Sequence, residues 1–153
     1  MRHVGHPDIV TAEPARVEFR VVELMNRLLD VTPETLDAEI DAVLAVIGQA
    51  YGFDRTFVFR YNDDAGYQNT HEWVGSGAAP MKPVMGTPAP VSRPTWHAMF
   101  LSGQVVAVTN RDDLPAGSPE HNFLTRNGVH STIMVPLLDG DRLFGVIGFD
   151  YDR

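Results

Sequence analysis

The chain has 153 residues, no cysteine and a formal net charge of −8. That is one domain's worth of chain. The missing cysteines exclude disulfides, thiolate metal sites, cysteine nucleophiles and thioether-linked cofactors together, and the negative balance disfavours nucleic acid and anionic membrane, which both call for a positive patch. No apolar run approaches the length of a membrane span.

Residues 1–13 lack hydrophobic periodicity and read as a flexible leader. They hold no apolar signal-peptide core, and with the absent cysteines they point to the cytoplasm. A first helix follows, on which Val17, Val21, Leu24, Met25 and Leu28 recur at spacings of three and four. A second carries Leu36, Ile40, Val43, Leu44, Ile47 and Tyr51 on one face. Thr32 is placed to cap it, Pro33 to open it and Gly52 to stop it.

The period then falls to two. Asp54–Tyr61 and Tyr67–Val74 read as a hairpin around Asn62–Gly66. Gly75–Pro90 reads as a long Gly/Pro loop, residues 94–102 as a short helix opened by Pro94, and Gln104–Val108 as a short strand. After a polar loop, Ser118 caps a helix that begins at Pro119 and stops at Gly128. Strands His130–Leu138 and Arg142–Asp150 then pair through Asp139-Gly140-Asp141. Strands joined by such short turns are antiparallel. The fold class is therefore α+β, with one antiparallel sheet and helices packed on it.

Three stretches carry a family resemblance: YNDDAGYQNTHEWV (61–74), GQVVAVTNRDDLP (103–115) and FLTRNGVHSTIMVPLLDGDRLFGVIGFD (123–150). From about Leu24 to Asp150 the chain resembles a GAF domain, the small-molecule sensory module of signalling proteins such as histidine kinases and diguanylate cyclases or phosphodiesterases. The resemblance implies a GAF/PAS-like sheet of five to six strands. N-terminal helices would cover one face, and loops with short helices the other. It implies one domain over residues 14–153, cut before a C-terminal signalling helix, with an output domain in the same full-length polypeptide. It implies no catalysis by this segment and an unidentified small-molecule ligand. No cofactor is evident, and a bilin cannot be attached covalently without a cysteine. Neither nucleic acid nor membrane is expected as a partner.

The resemblance places the ligand between the sheet and its cover of loops and short helices. Candidate ligand-binding residues there are Trp96, His97, Phe100, Asn110, Asp113, His121, Leu124 and Ser131. Apolar walls with a few polar groups are what such sites use. Arg60 joins them on the argument that the mixed face Thr56/Val58/Arg60 suits a cavity better than Phe57/Phe59/Tyr61, and a guanidinium there would favour an anion. The competing reading has the large side chains filling the space, which leaves a dimerisation or protein-interaction module with no pocket. Terminal helices of this family often pair, so Val17, Val21, Val22, Leu24 and Leu28 are the candidate surface of a homodimer.

Motifs for chemistry are absent. His71-Glu72 lacks the second histidine of a zinc-protease helix, and no Gly-x-Ser-x-Gly elbow presents a nucleophile. The pairs Asp63-Asp64 and Asp139/Asp141 lie where turns need them, so neither a metal site nor catalytic residues are expected. Trp73 reads as a packing residue.

Overall fold

The computed structural model describes residues 22–24, 26, 27, 29–62 and 66–152. The chain divides into two compact units, Met1–Glu39 and Ile40–Arg153. In the first, the described residues from 22 to 29 are helical, and Arg27 Nη2 pairs with Glu39 Oε2 at 2.8 Å. Of the candidate dimer residues, Val17, Val21 and Leu28 lie outside the described residues. Leu24 is buried and Val22 exposed, as is the neighbouring Leu29.

Helix α1 spans Leu36–Tyr51, three residues later than the Pro33 start expected. Thr32 does not cap it. Instead Thr32 and Thr35 close a separate turn, in which the Thr35 amide donates to the Thr32 carbonyl at 3.1 Å. The Thr35 carbonyl then accepts the Glu39 amide at 3.0 Å and opens the helix.

Six strands form the sheet of the second unit: β1 (Arg55–Tyr61), β2 (Gly66–Val74), β3 (Ala89–Pro90), β4 (Val106–Val108), β5 (Ser131–Asp139) and β6 (Arg142–Tyr151). Their order is β3-β2-β1-β6-β5-β4, and every neighbouring pair is antiparallel. Both expected hairpins are present. The Gly/Pro loop proves to contain β3 and a one-turn helix α2 (Lys82–Met85), elements too short to leave a periodic trace. Helices α3 (Pro94–Leu101) and α4 (Pro119–Arg126) follow the sequence reading, with Ser118 Oγ accepting the His121 amide at 3.2 Å.

The two faces of the sheet are assigned by β1. Thr56 Oγ1 donates to the Leu44 carbonyl of α1 at 2.8 Å, so Thr56, Val58 and Arg60 look towards α1's side. Phe57 and Phe59 point the other way, into the core with Tyr67, Met81, Trp96, Phe100, Val106, Leu124, Met134 and Val146. The sequence-based choice of face is thus reversed: the loop-and-short-helix layer sits on the aromatic face. The reason is local. A buried threonine hydroxyl needs an acceptor, and the α1 carbonyl supplies one, whereas the phenyl rings need only volume. Phe57 obtains it by lying over its cross-strand partner Gly148.

Candidate ligand site

The layer over the aromatic face is held down by two carboxylates from distant elements. Glu72 of β2 accepts the amides of Met81 at 2.9 Å and Lys82 at 2.9 Å, which fixes the start of α2. Glu120 of α4 is buried and accepts the Thr95 amide at 3.1 Å, which satisfies a free donor in the first turn of α3. Neither glutamate belongs to a motif with its partner, since the contacts close over stretches unrelated in sequence pattern.

Beneath this layer the space is divided. Trp96 and Phe100 are each 3% exposed and Leu124 is 1% exposed. They belong to the continuous core, so these three candidates fill the region expected to hold a ligand. Towards the β2–β3 edge the packing opens into a cleft of about 240 Å³ lined by Tyr67, Val84, Met85, Arg93, Phe123 and Arg126, with Thr87, Ala89, Ser92 and Asn127 completing it. Among the described residues no carboxylate lines it.

Arg93 dominates the cleft. It is 9% exposed and precedes Pro94 at the start of α3. Its Nη1 donates to Tyr67 Oη at 3.0 Å and to Ser92 Oγ at 3.2 Å. The guanidinium carbon lies 4.6 Å from the Tyr67 ring centre and 3.9 Å from that of Phe123, both within cation–π range. Among the described residues it has no carboxylate partner, and Nε and Nη2 donate to no protein acceptor.

The remaining candidates are scattered. Arg60 is exposed on the face towards α1, where it cannot reach the cleft. Ser131 likewise alternates with the inward Thr132 and shares the outward side with exposed Ile133. Both placements overturn the sequence reading, and for the same reason: the aromatic face is the covered one. Asn110 caps a 3-10 turn at Arg111–Asp113, its Oδ1 accepting the Asp112 amide at 2.9 Å, and Asp113 is exposed. The His97 ring centre lies 5.2 Å from that of Tyr61, whose phenol is pushed up to about 12, chiefly by burial, and so stays protonated. His97 and His121 each hold a buried Nδ1 without a partner. No three His, Asp or Glu side chains converge as metal ligands among the described residues. Sequence reasoning missed Tyr67, Arg93 and Arg126. The available signal was an arginine lodged at the head of an aromatic covering helix.

A comparison with curated protein sequences finds no match. Solved structures do resemble the chain. The phycocyanobilin-bound GAF domain of a cyanobacterial phytochrome superposes with a TM-score of 0.74 at 19% identity, over 89% of this chain and 80% of that one. The blue-light absorbing form of the Thermosynechococcus elongatus PixJ GAF domain gives 0.63 at 21%, over 78% and 73%. The chromophore-binding domain of the R. palustris bacteriophytochrome RpBphP3 gives 0.73 at 16%, over 99% of this chain but 59% of that one. The family model described as the GAF domain matches residues 35–153. With that match and this sheet, the chain belongs to the GAF domain family.

Proposed function

We propose that the chain is the sensory, non-catalytic part of a bacterial signal-transduction protein and takes a small molecule into the cleft between Tyr67, Arg93 and Phe123. One observation carries this reading. Beside a core packed shut by Trp96, Phe100 and Leu124, the same layer leaves about 240 Å³ open between apolar side chains and two arginines. Apolar walls with a few oriented polar groups are the usual make-up of ligand sites. The bilins of the neighbouring structures do not fit these residues. The chain offers no cysteine for attachment, and an open space of about 240 Å³ falls below the roughly 300 Å³ at which sites for drug-sized ligands begin.

The output module would be a histidine kinase or a cyclic-di-GMP enzyme in the same polypeptide, working in the cytoplasm. No described helix is long and apolar enough to cross a membrane. Homodimerisation would use the leading helix, where Val22 and Leu29 are exposed. A ligand regulates such a dimer only by binding its two packings with unequal affinity.

The filled centre of the layer favours a second reading, a dimerisation or interaction module without a ligand. Native mass spectrometry of the freshly purified protein separates the two. The sensor reading expects a mass excess that disappears on denaturation and is absent from Ala89→Trp, whose indole occupies the cleft. A bare wild-type mass, with output activity of the full-length protein indifferent to added metabolite extract, supports the interaction module instead.

A further inference from the structure

The charge at the cleft is unbalanced, and the way it is held identifies what would balance it. A guanidinium has five N–H donors in a planar fork. On Arg93, Nη1 spends its donors on Tyr67 and Ser92. The unspent pair, Nε–H and Nη2–H, forms the side edge of the fork, whose parallel donors match the two oxygens of one carboxylate. The rings of Tyr67 and Phe123 hold the guanidinium carbon between them, 4.6 and 3.9 Å from their centres. Among the described residues Arg93 has no ionised partner and no acid lines the cleft, so its open donors are left to solvent or to whatever enters the cleft. Arg126, the second cation of the lining, is exposed to solvent.

From this geometry we infer that the cleft is a site for a small organic carboxylate with an apolar body. The carboxylate sits on the Nε/Nη2 edge of Arg93, and the body lies against Val84, Met85, Ala89 and Phe123. The inference rests on the sensor reading and narrows it to a ligand class. Inorganic phosphate shares the oxyanion chemistry but fits less well. It has no apolar body to place on these side chains, and its second charge would have to be met by a solvent-exposed arginine.

The test compares benzoate and hexanoate with their neutral isosteres, benzamide and hexanamide, and with inorganic phosphate. Binding is followed by calorimetry and by amide chemical shifts around Arg93 and Phe123. The carboxylates should bind at least about tenfold more tightly than the amides, one decade being a modest return for a charge-assisted bidentate pair, and more tightly than phosphate. Arg93→Gln should erase the preference, and Arg93→Lys, which keeps the charge but loses the fork, should lose most of it. Arg126→Gln should change it little. The wild-type comparison stands even if an Arg93 variant fails to fold. Equal binding of acids and amides at the cleft overturns the carboxylate assignment and leaves the sensor reading intact. Tighter binding of phosphate overturns the assignment in favour of a phosphate-bearing ligand. Silence from all five probes overturns the carboxylate class, while a co-purified mass of another chemistry would keep the sensor reading alone.

Discussion

Arg55 holds four partners at once. It is fully buried at the start of β1. Nη1 donates to the Ala79 carbonyl at 2.9 Å, Nη2 to the Asn127 carbonyl at 3.5 Å and to Asp152, and Nε faces Asp150 Oδ2 at 3.5 Å. One cation thus serves two carboxylates, and Asp152 holds the nearer pairing. Asp150 is pushed up to about 7, first by burial, with the charge of Asp152 adding and Arg55 opposing. The consequence for stability has a definite sign. Between about 4, where the unfolded carboxyl loses its proton, and about 7, the folded protein keeps a proton that the unfolded chain has released. Stability from this group is therefore greatest in acid, declines through that window and is level above it. Chemical denaturation of wild type and Asp150→Asn at pH 4.5, 6 and 7.5 reads this directly. The difference in unfolding free energy should move against wild type as pH rises, and parallel profiles would refute the assignment. Arg55→Met strands both acids and should cost about 3–5 kcal/mol, the penalty for breaking a buried pair from one side. Exposed Arg60→Met should stay within about 0.5 kcal/mol. Thermal melts of the two methionine variants test that contrast between two arginines of the same strand.

At the level of elements, what was legible in the sequence followed period and punctuation. The second helix, both hairpins, and the Pro94 and Pro119 helix starts each combine a 3.6- or 2-residue pattern with a turn or cap signal, and each is present within a few residues. Elements α2 and β3 were not legible, because four and two residues cannot show a period. The choice of sheet face was illegible for a different reason. Phe57/Phe59 and Thr56/Val58 are both buried or half-buried, and only the Thr56 contact with the Leu44 carbonyl decides which of them meets α1. That error carried Arg60 into the site, whereas Arg93 was passed over for another reason, since it precedes Pro94 in the covering layer and lies on no strand. The packing of α1 on the sheet supplies its own test. Gly48 is buried, and a Cβ there would run into the Trp73 ring. Backbone and indole are in direct contact, as the packing role read for Trp73 requires. Alanine improves helix propensity, yet Gly48→Ala should destabilise by about 1–3 kcal/mol, because overpacking forces the indole aside. Adding Trp73→Leu should recover part of that loss. An increase in melting temperature for Gly48→Ala alone would show that propensity outweighs this contact.

Across the second unit, the cleft and the end of β6 are joined by one residue. Asn127 lines the cleft, and its carbonyl accepts from Arg55 Nη2 at 3.5 Å. Arg55 also holds Ala79 in the loop that leads to α2, together with Asp150 and Asp152 at the close of β6. The Asp152 amide donates to Asp54 Oδ2 at 2.9 Å, beside Arg55 in the chain. A ligand that fixes the end of α4 thereby restrains Arg55, and Arg55 restrains the place where the chain leaves the sheet. The centre of the sheet, where Phe57 lies over Gly148, is packed shut and has little left to tighten. Amide hydrogen exchange with saturating benzoate should therefore slow at Asp152 and at Met81 and Lys82, whose amides are held by Glu72. Phe57 and Gly148, which open only with global unfolding, should slow by no more than the overall stabilisation that any saturating ligand confers. Arg55→Lys keeps the buried charge but not the fork that reaches four partners. In that variant benzoate should bind within about threefold of wild type, less than half a decade in affinity, while the Asp152 amide ceases to respond. Retention of the full Asp152 response in Arg55→Lys would show that occupancy reaches the end of β6 by another route. Loss of benzoate binding itself would show that Arg55 shapes the cleft rather than linking it to the strand.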